Sequence, residues 1–183
     1  MPVQRLVLTP AAGVDARIGF YLSGMEEVRS QLREAVVGMS DDDLARRSVP
    51  RTHAIGALVL HIGESEWWWL QCVISNHQLT DEDRRQPFWD VLVDPDQFAS
   101  RGYSAAYCLE VIDGIRQQTR RLLAPFTEDD LDRVFHYTRE SRSIEVSLRW
   151  VLHHLIDHEA QHKGQILMLK RLLGQPVKSV LEV

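Results

Sequence analysis

The residues best suited to chemistry lie in one stretch near the end of the chain, VLHHLIDHEAQHKGQILML, at residues 151–169. His154, His158 and His162 are spaced four apart, and residues at that spacing lie on one face of a helix. Within the stretch, HEAQH matches H-E-x-x-H, a pattern used by zinc proteases. Imidazoles stacked on one face repel each other when charged, and a shared metal ion removes that repulsion. The stretch therefore predicts a helix that supplies metal ligands.

A catalytic zinc ion usually takes three protein ligands and keeps one open position, so two histidines do not complete a site. His61 is the best candidate for the missing ligand, because it lies in the middle of the apolar segment 54–70. A histidine so embedded is either a hydrogen-bonded core residue or a ligand that faces the bundle axis. We expect His53, His77 and His136 at the surface, since they lie at element ends or in loops.

Three kinds of metal site compete for these residues. A zincin would use Glu159 as general base and would need a further ligand downstream, where only Glu182 remains. A ferritin-like di-iron site would use Glu159 and His162, but the sequence offers no second E-x-x-H on another helix. A single metal ion held by His61, His158 and His162 uses the residues available without strain. We favour this third site.

Two polar residues are candidates to act beside the ligands. Glu64 lies one turn on from His61 and would orient that imidazole or act as a catalytic base. A solvated carboxylate on the helix surface is the plain alternative. Gln165 lies on the same stripe as the three spaced histidines and is a candidate to support one of them from behind.

Apolar stripes at spacings of three and four predict four long helices, at residues 9–38, 52–75, 104–124 and 143–173. A short capped turn that starts at Ser40 follows the first helix. RVFHYT, at residues 133–138, alternates weakly and predicts a short strand or hairpin arm. The inner face of the third helix is expected to carry Tyr107, Val111, Ile115 and Leu122. The simplest architecture is all-α: one four-helix bundle domain over residues 1–183, with a long crossover between helices two and three.

The crossover, residues 76–102, is longer than most loops inside a compact domain. Two interpretations stay open. In one it is a lid over the site, with Phe88 and Trp89 packed down and Arg84 and Arg85 holding an anionic substrate group. In the other it only spans the bundle and docks its aromatic residues into ordinary core.

Composition limits the partners. A net charge of −5 argues against general binding to nucleic acid, and no run of residues is long enough to span a membrane. Cys72 and Cys108 have no framework spacing, which suits a reducing cytoplasm. Trp67, Trp68 and Trp69 point different ways on a helix, so we expect Trp68 on the face of His61. The other two would turn to helix neighbours or a partner chain, which predicts a homodimer.

The pattern as a whole resembles the DinB/YfiT-like superfamily. The resemblance rests on MSDDDL after the first helix, on LVLHIGESEWWWL at residues 58–70, and on the ending H-x-x-x-H-x-x-x-H-x-G-Q. It implies a bundle with an up-down-down-up arrangement and one divalent metal ion bound through three histidines. Carried over, those ligands are His61, His158 and His162, with zinc expected and nickel or iron as alternatives.

The resemblance also covers neighbouring positions. His154 matches a frequent family histidine that is not usually a ligand, so we expect it to support the site. The family often has a paired HH and then an arginine near the end of the motif. Here Gln161 precedes His162 and Lys163 follows it, which leaves the ligands intact.

A site of three neutral imidazoles on a divalent ion would lower the pKa of a bound water toward ~7, or bind and deprotonate a thiol. The resemblance implies such chemistry on small molecules, with thiols such as bacillithiol or mycothiol as co-substrates. The leading hypothesis is a metal-dependent S-transferase for a low-molecular-weight thiol, with hydrolysis second. The rival from another class is a helical bundle that binds metal without catalysis.

Overall fold

The computed structural model describes residues 5–93 and 95–177. Its elements in chain order are α1 (Ala16–Val36), α2 (Asp41–Ala45), α3 (Ile55–Trp67), α4 (Asp81–Arg84), α5 (Pro95–Arg101), α6 (Ala105–Leu123), β1 (Val134–Arg139), β2 (Arg142–Ser147) and α7 (Leu148–Leu172). A π-helix, Trp68–Ile74, continues α3, and a short 3-10 helix, Glu128–Asp132, precedes β1. None of the helices in the described residues combines the length and the apolar composition that a membrane span requires.

The four long helices form the predicted bundle, with α1 packed mainly on α7 and α3 mainly on α6. Side-chain contacts give their directions. A Cβ on Gly63 would meet Ile112, and Glu66 bonds Arg116. Residue numbers therefore increase in the same direction along both helices, so α3 runs parallel to α6. By the same test α1 is parallel to α7: Arg29 bonds Glu159, and Lys170 bonds the carbonyl of Ala35. Histidine and tryptophan contacts make α3 antiparallel to α7. The order is therefore up-down-down-up, as the resemblance implied.

The first helix begins later than the sequence predicted. Asp15 caps it by accepting a hydrogen bond from the Arg17 N–H at 2.8 Å. The predicted start at Thr9 and Pro10 is wrong, because Gly13 adopts a φ of +84° and breaks the helix there. The preceding segment is tied back instead, since the Ser23 hydroxyl donates to the Thr9 carbonyl at 2.6 Å.

The second long helix is not one uniform α-helix. It starts at Ile55 and changes to a π-helix at Trp68–Ile74, marked by the Ser75 N–H donating to the Leu70 carbonyl five residues back at 3.0 Å. A π turn is wider than an α turn and is found most often near functional sites. The change falls within the run of three tryptophans, so it sets where Trp68 and Trp69 point.

Two predicted details of the last two long helices are wrong. The third helix buries Ile115 as predicted, but Tyr107 is exposed and Val111 and Leu122 are only partly buried. Its inner face runs through Cys108 and Ile112 and also carries buried polar residues, which an apolar count overlooks. The fourth begins at Leu148 rather than at residue 143, because the preceding residues pair as β2 with β1. The predicted hairpin arm is confirmed. Glu140 and Ser141 form its tight turn with φ of 49° and 65°.

The crossover packs firmly on the bundle. Phe88, Trp89 and Phe98 are all buried, which confirms that Phe88 and Trp89 pack down. Phe98 needs the glycine at position 56, because a Cβ there would lie 2.1 Å from the Phe98 ring. Trp67 packs edge-on against Trp89 with ring centroids 5.9 Å apart. Tryptophan burial is thus largely satisfied within the chain, so the tryptophan count does not require a partner.

An ion network is buried where the four long helices meet. Each contributes one charged side chain: Arg29 from α1, Glu66 from α3, Arg116 from α6 and Glu159 from α7, none more than 4% exposed. Arg29 reaches Glu159 at 2.5 Å and Glu66 at 2.9 Å. Arg116 reaches Glu66 at 2.7 Å and Glu159 at 3.1 Å. Each charge therefore has two partners of opposite sign.

Glu66 has a further hydrogen-bond partner besides the two arginines. Its carboxylate also accepts a hydrogen bond from the Thr119 hydroxyl at 2.6 Å. Burial alone would raise the pKa of Glu66, but the charges of Arg116 and Arg29 and these hydrogen bonds outweigh it and lower the pKa to about 2. Glu66 is therefore ionised throughout the physiological pH range.

The network generates a stability prediction. Glu66→Gln leaves two buried arginines undercompensated, and breaking a buried ion pair costs roughly 3–5 kcal/mol. The matched control is Asp113→Asn. It breaks an exposed ion pair between α1 and α6, in which the Asp113 carboxylate lies 2.5 Å from the Arg33 guanidinium. That variant should lose less than about 1 kcal/mol. Urea denaturation followed by circular dichroism measures both, and equal losses would contradict the assigned importance of the network.

Candidate metal centre

Three histidines meet between α3 and α7. His61 comes from α3, and His158 and His162 come from successive turns of α7. One ring nitrogen from each lies within 4.8 Å of the other two, and all three side chains are partly buried. They are the only group of three or more histidines, cysteines or carboxylates with this geometry between residues 5–93 and 95–177. The structure thus brings together the three residues that the sequence singled out.

Neighbouring side chains fix which nitrogen each outer histidine presents. Glu64 Oε2 lies 3.1 Å from His61 Nδ1, and Gln165 Oε1 lies 2.9 Å from His162 Nδ1. An acceptor at Nδ1 holds the proton on that atom and leaves Nε2 as the free lone pair, which is how supporting residues orient metal-binding histidines. The geometry gives Glu64 and Gln165 the orienting positions that the sequence suggested.

The ring nitrogens of His158 and His162 are placed so that the cluster suits a cation. The Nε2 atoms of His158 and His162 lie 3.1 Å apart. Burial lowers the pKa of His158 to about 3, with the neighbouring His162 and His61 adding to the effect, and burial also lowers the pKa of His162. His158 and His162 are therefore neutral, and their ring nitrogens converge with that of His61. Three imidazole nitrogens match the ligand set of a catalytic zinc site.

The crossover contributes to the same arrangement. The second carboxylate oxygen of Glu64 accepts a hydrogen bond from the backbone N–H of Asp90 at 2.9 Å. Asp90 holds a left-handed φ of 53°, uncommon outside glycine, asparagine and aspartate. A chain of contacts therefore runs from the crossover through Glu64 to His61.

The cluster borders a cavity of about 650 Å³. Its polar lining includes His61, Glu64, Asp90, His154 and His158, and its aromatic lining is Trp68, Trp69, Trp89, Tyr137 and Trp150. Trp68 thus lies on the cavity side, as predicted. The volume is within the range of small-molecule sites.

The two arginines that the lid hypothesis assigned to substrate binding do not lie at the cavity. Arg84 and Arg85 are exposed and do not line the cavity; Arg84 lies instead over the Trp89 ring, with its guanidinium carbon 5.9 Å from the ring centre. The arginine at the cavity is Arg139, from the end of β1. Sequence reasoning missed it because the hairpin reaches the cavity only through the tertiary fold.

Glu159 lies elsewhere than a catalytic base would. Both of its oxygens accept hydrogen bonds from Arg29 and Arg116 in the buried ion network. Because both carboxylate oxygens are engaged by guanidiniums of the buried network, the geometry does not support the predicted catalytic role. The zincin interpretation loses its base for the same reason. Its other residue, Glu182, lies outside the described residues.

The remaining histidines divide as follows. His77 and His136 are exposed, as predicted, and His153 is exposed as well. His53 is partly buried, so its predicted surface position is wrong: burial and the nearby His61 lower its pKa. Its Nδ1 is buried without a hydrogen-bond partner in the part of the chain that the structure describes. His154 stacks on Trp150 and lies 5.7 Å from His158 between ring centroids, beside the cluster rather than in it.

Solved structures with this fold come from several bacteria. A conserved protein from Enterococcus faecalis is similar with a TM-score of 0.64 and 14% identity, over 85% of this chain and 96% of that one. A DinB-like protein from Bacillus cereus gives 0.63 and 18%, over 89% and 97%. YfiT from Bacillus subtilis, described as a probable metal-dependent hydrolase with an unusual four-helix bundle topology, gives 0.59 and 18%, over 96% and 94%. These likenesses define a DinB-like bundle.

The sequence profile of the mycothiol-S-transferase family matches residues 22–174, which contain all four long helices except the start of α1. The chain belongs to this family, within the DinB-like superfamily. A comparison with curated proteins gives no significant match.

The cluster generates a binding prediction. Alanine at His61, His158 or His162 should each abolish tight binding of a divalent ion, because two imidazoles rarely hold one. His136→Ala, on the exposed hairpin, is the matched control and should bind like the unaltered chain. Tag-free protein is dialysed against zinc and its metal content is measured by mass spectrometry. Retention of stoichiometric zinc by the His61→Ala variant would contradict the three-histidine site.

A second prediction concerns Glu64. Glu64→Gln removes the charged acceptor at His61 Nδ1, and loss of such a supporting residue typically weakens metal affinity about 10- to 100-fold. Competition titration with a zinc-binding dye measures the change. Glu110→Gln, an exposed carboxylate on α6, is the control. Unchanged affinity in Glu64→Gln would make Glu64 an ordinary surface carboxylate.

Proposed function

We propose that the chain is a metal-dependent S-transferase that moves a low-molecular-weight thiol of the mycothiol class onto a small electrophilic substrate. One observation carries the proposal: three imidazoles, two of them held by hydrogen bonds at Nδ1, converge at the wall of a small-molecule cavity in a chain whose family is named for this transfer. The thiol and its acceptor would both lie in the 650 Å³ cavity.

His61, His158 and His162 would hold one divalent ion through their Nε2 atoms. Zinc suits three imidazoles and an open position, and nickel or iron are the alternatives. The ion would supply a Lewis acid that favours the thiolate form of the substrate. Glu64 and Gln165 would keep the His61 and His162 rings in the required orientation.

The transfer itself needs little further from the protein. The sulfur supplies the electron pair of the new S–C bond, the leaving group departs with the pair of the bond that breaks, and the thiol proton is released to water. Both oxygens of Glu64 already accept hydrogen bonds, so its role here is to position His61 rather than to act as the base. The cavity walls hold the two reactants close together, which is where much of the rate enhancement arises.

Two features of the chain agree with a thiol-rich, reducing cytoplasm, which we propose as its location. Cys72 and Cys108 are both free. Burial raises the pKa of Cys72 to about 11 and that of Cys108 to about 12, so neither is a thiolate at neutral pH and neither competes with a substrate thiol. The homodimer predicted from the tryptophans stays a prediction, to be decided by sedimentation.

Hydrolysis is the second candidate. The supporting observation is the likeness to YfiT, described as a probable metal-dependent hydrolase, although at 18% identity that likeness concerns the fold. The same histidines and cavity would serve both reactions, and the fate of the thiol separates them.

The test is a product assay. Zinc-loaded protein is incubated with mycothiol and a panel of small electrophiles, and S-conjugates are measured by liquid chromatography and mass spectrometry. Conjugates should form above background, and chelation or His158→Ala should abolish the excess while His136→Ala retains it. Products that carry water in place of the thiol would favour hydrolysis. Stoichiometric zinc with no product of either kind would favour a bundle that binds metal without catalysis.

A further inference from the structure

One face of α7 carries a continuous row of rings. Trp150, His154, His158 and His162 follow one another at intervals of four, and their neighbouring ring centroids lie 4.8, 5.7 and 4.4 Å apart. His162 and His158 belong to the candidate metal centre. Trp150 lies at the other end, about 12 Å from His158 along the axis, since eight helical residues rise by about 1.5 Å each. The row therefore runs from the candidate metal centre, at one end of the cavity, to Trp150 at the other end, here called the aromatic end.

The aromatic end is held rigid by Trp69. Its ring makes edge-on contacts with Trp68 at 5.0 Å, and with Tyr137 and Trp150 at 5.3 Å each. Trp69 itself is only 8% exposed, whereas Trp150 is 45% exposed and Trp68 is partly exposed. Rings that brace one another lose little further freedom when a flat molecule stacks on them. We call Trp68, Trp69, Tyr137 and Trp150 the aromatic wall.

A single cation accompanies the aromatic wall. Arg139 follows Tyr137 by two residues on β1 and lines the same cavity. Its side chain makes no hydrogen bond or ion pair with another residue in the ranges 5–93 and 95–177. A guanidinium with free donors, at the mouth of a cavity in a chain of net charge −5, is a ready partner for an anionic group.

We propose that the aromatic wall and Arg139 bind the acceptor substrate, and that this acceptor is a flat aromatic or conjugated molecule with one carboxylate or similar anionic group. The flat part stacks on Trp150 and Trp68, the anion pairs with Arg139, and the reactive carbon points along α7 toward His158. The assignment of this molecule as acceptor rests on the proposed function. Its binding to the aromatic wall does not, because no metal contact is required.

Binding is therefore measured on metal-free protein, after dialysis against chelator and without thiol. The probes share one carbon skeleton: 2-naphthoate is flat and anionic, decahydro-2-naphthoate is anionic but not flat, and 2-naphthamide is flat but neutral. Titration calorimetry should show 2-naphthoate binding about three- to tenfold more tightly than either of the others, from the typical strengths of aromatic stacking and of a partly exposed charge pair.

Paired variants locate the binding. Trp150→Leu and Arg139→Gln should each weaken 2-naphthoate binding about three- to tenfold. Their controls are Met168→Leu, an exposed apolar residue elsewhere on α7, and Arg142→Gln, the exposed cross-strand partner of Arg139 that does not line the cavity. Both controls should bind within twofold of the unaltered chain. Circular dichroism verifies that every variant is folded.

Three results would overturn the proposal: equal binding of the flat and saturated acids, equal effects of Arg139→Gln and Arg142→Gln, or no measurable binding of 2-naphthoate to folded protein. Failure of the proposed function looks different. In that case zinc binding or S-conjugate formation fails while the probes still bind the aromatic wall in the metal-free chain.

Discussion

A network of four buried charges ties the long helices to one another beneath the histidines. Each long helix contributes one charge, and each charge has partners on two other helices. Rotating any helix by a fraction of a turn would leave a buried charge unpaired, which costs several kcal/mol. Glu66 and Glu159 lie on the same helices as His61 and His158, so the network also fixes the relative placement of those candidate ligands.

The candidate site combines this rigid ion network with a cavity lining that several different elements supply. The three histidines come from two antiparallel helices, which also line part of the cavity. The rest of the lining comes from the π-helix, the crossover and the hairpin, three elements attached to the ends of those helices. A bundle can in this way keep one metal geometry while its appended elements alter the cavity. Such a division agrees with a fold whose solved relatives share 14–18% identity with this chain.

Local patterns carried most of what could be predicted. Helical spacing put His154, His158 and His162 on one face, the family resemblance set His154 apart from the ligands, and His61 stood out because it interrupts an apolar segment. The π turn at Trp68 and the pairing of Glu159 with two arginines depend on contacts between distant segments, which no local period records. Arg139 was missed for the same reason, while the start of α1 was misplaced because Gly13, rather than Thr9 and Pro10, decides where the helix begins.

The Glu64 carboxylate accepts hydrogen bonds from both the Asp90 N–H and His61 Nδ1, and this pair of bonds has a thermodynamic consequence. If the closed crossover strengthens ion binding by orienting His61, then a bound ion must stabilise the closed crossover by the same free energy, because binding equilibria that share a linkage are reciprocal. A bound metal ion would then favour the closed crossover that covers it. The crossover would open most readily in the chain that has lost its ion.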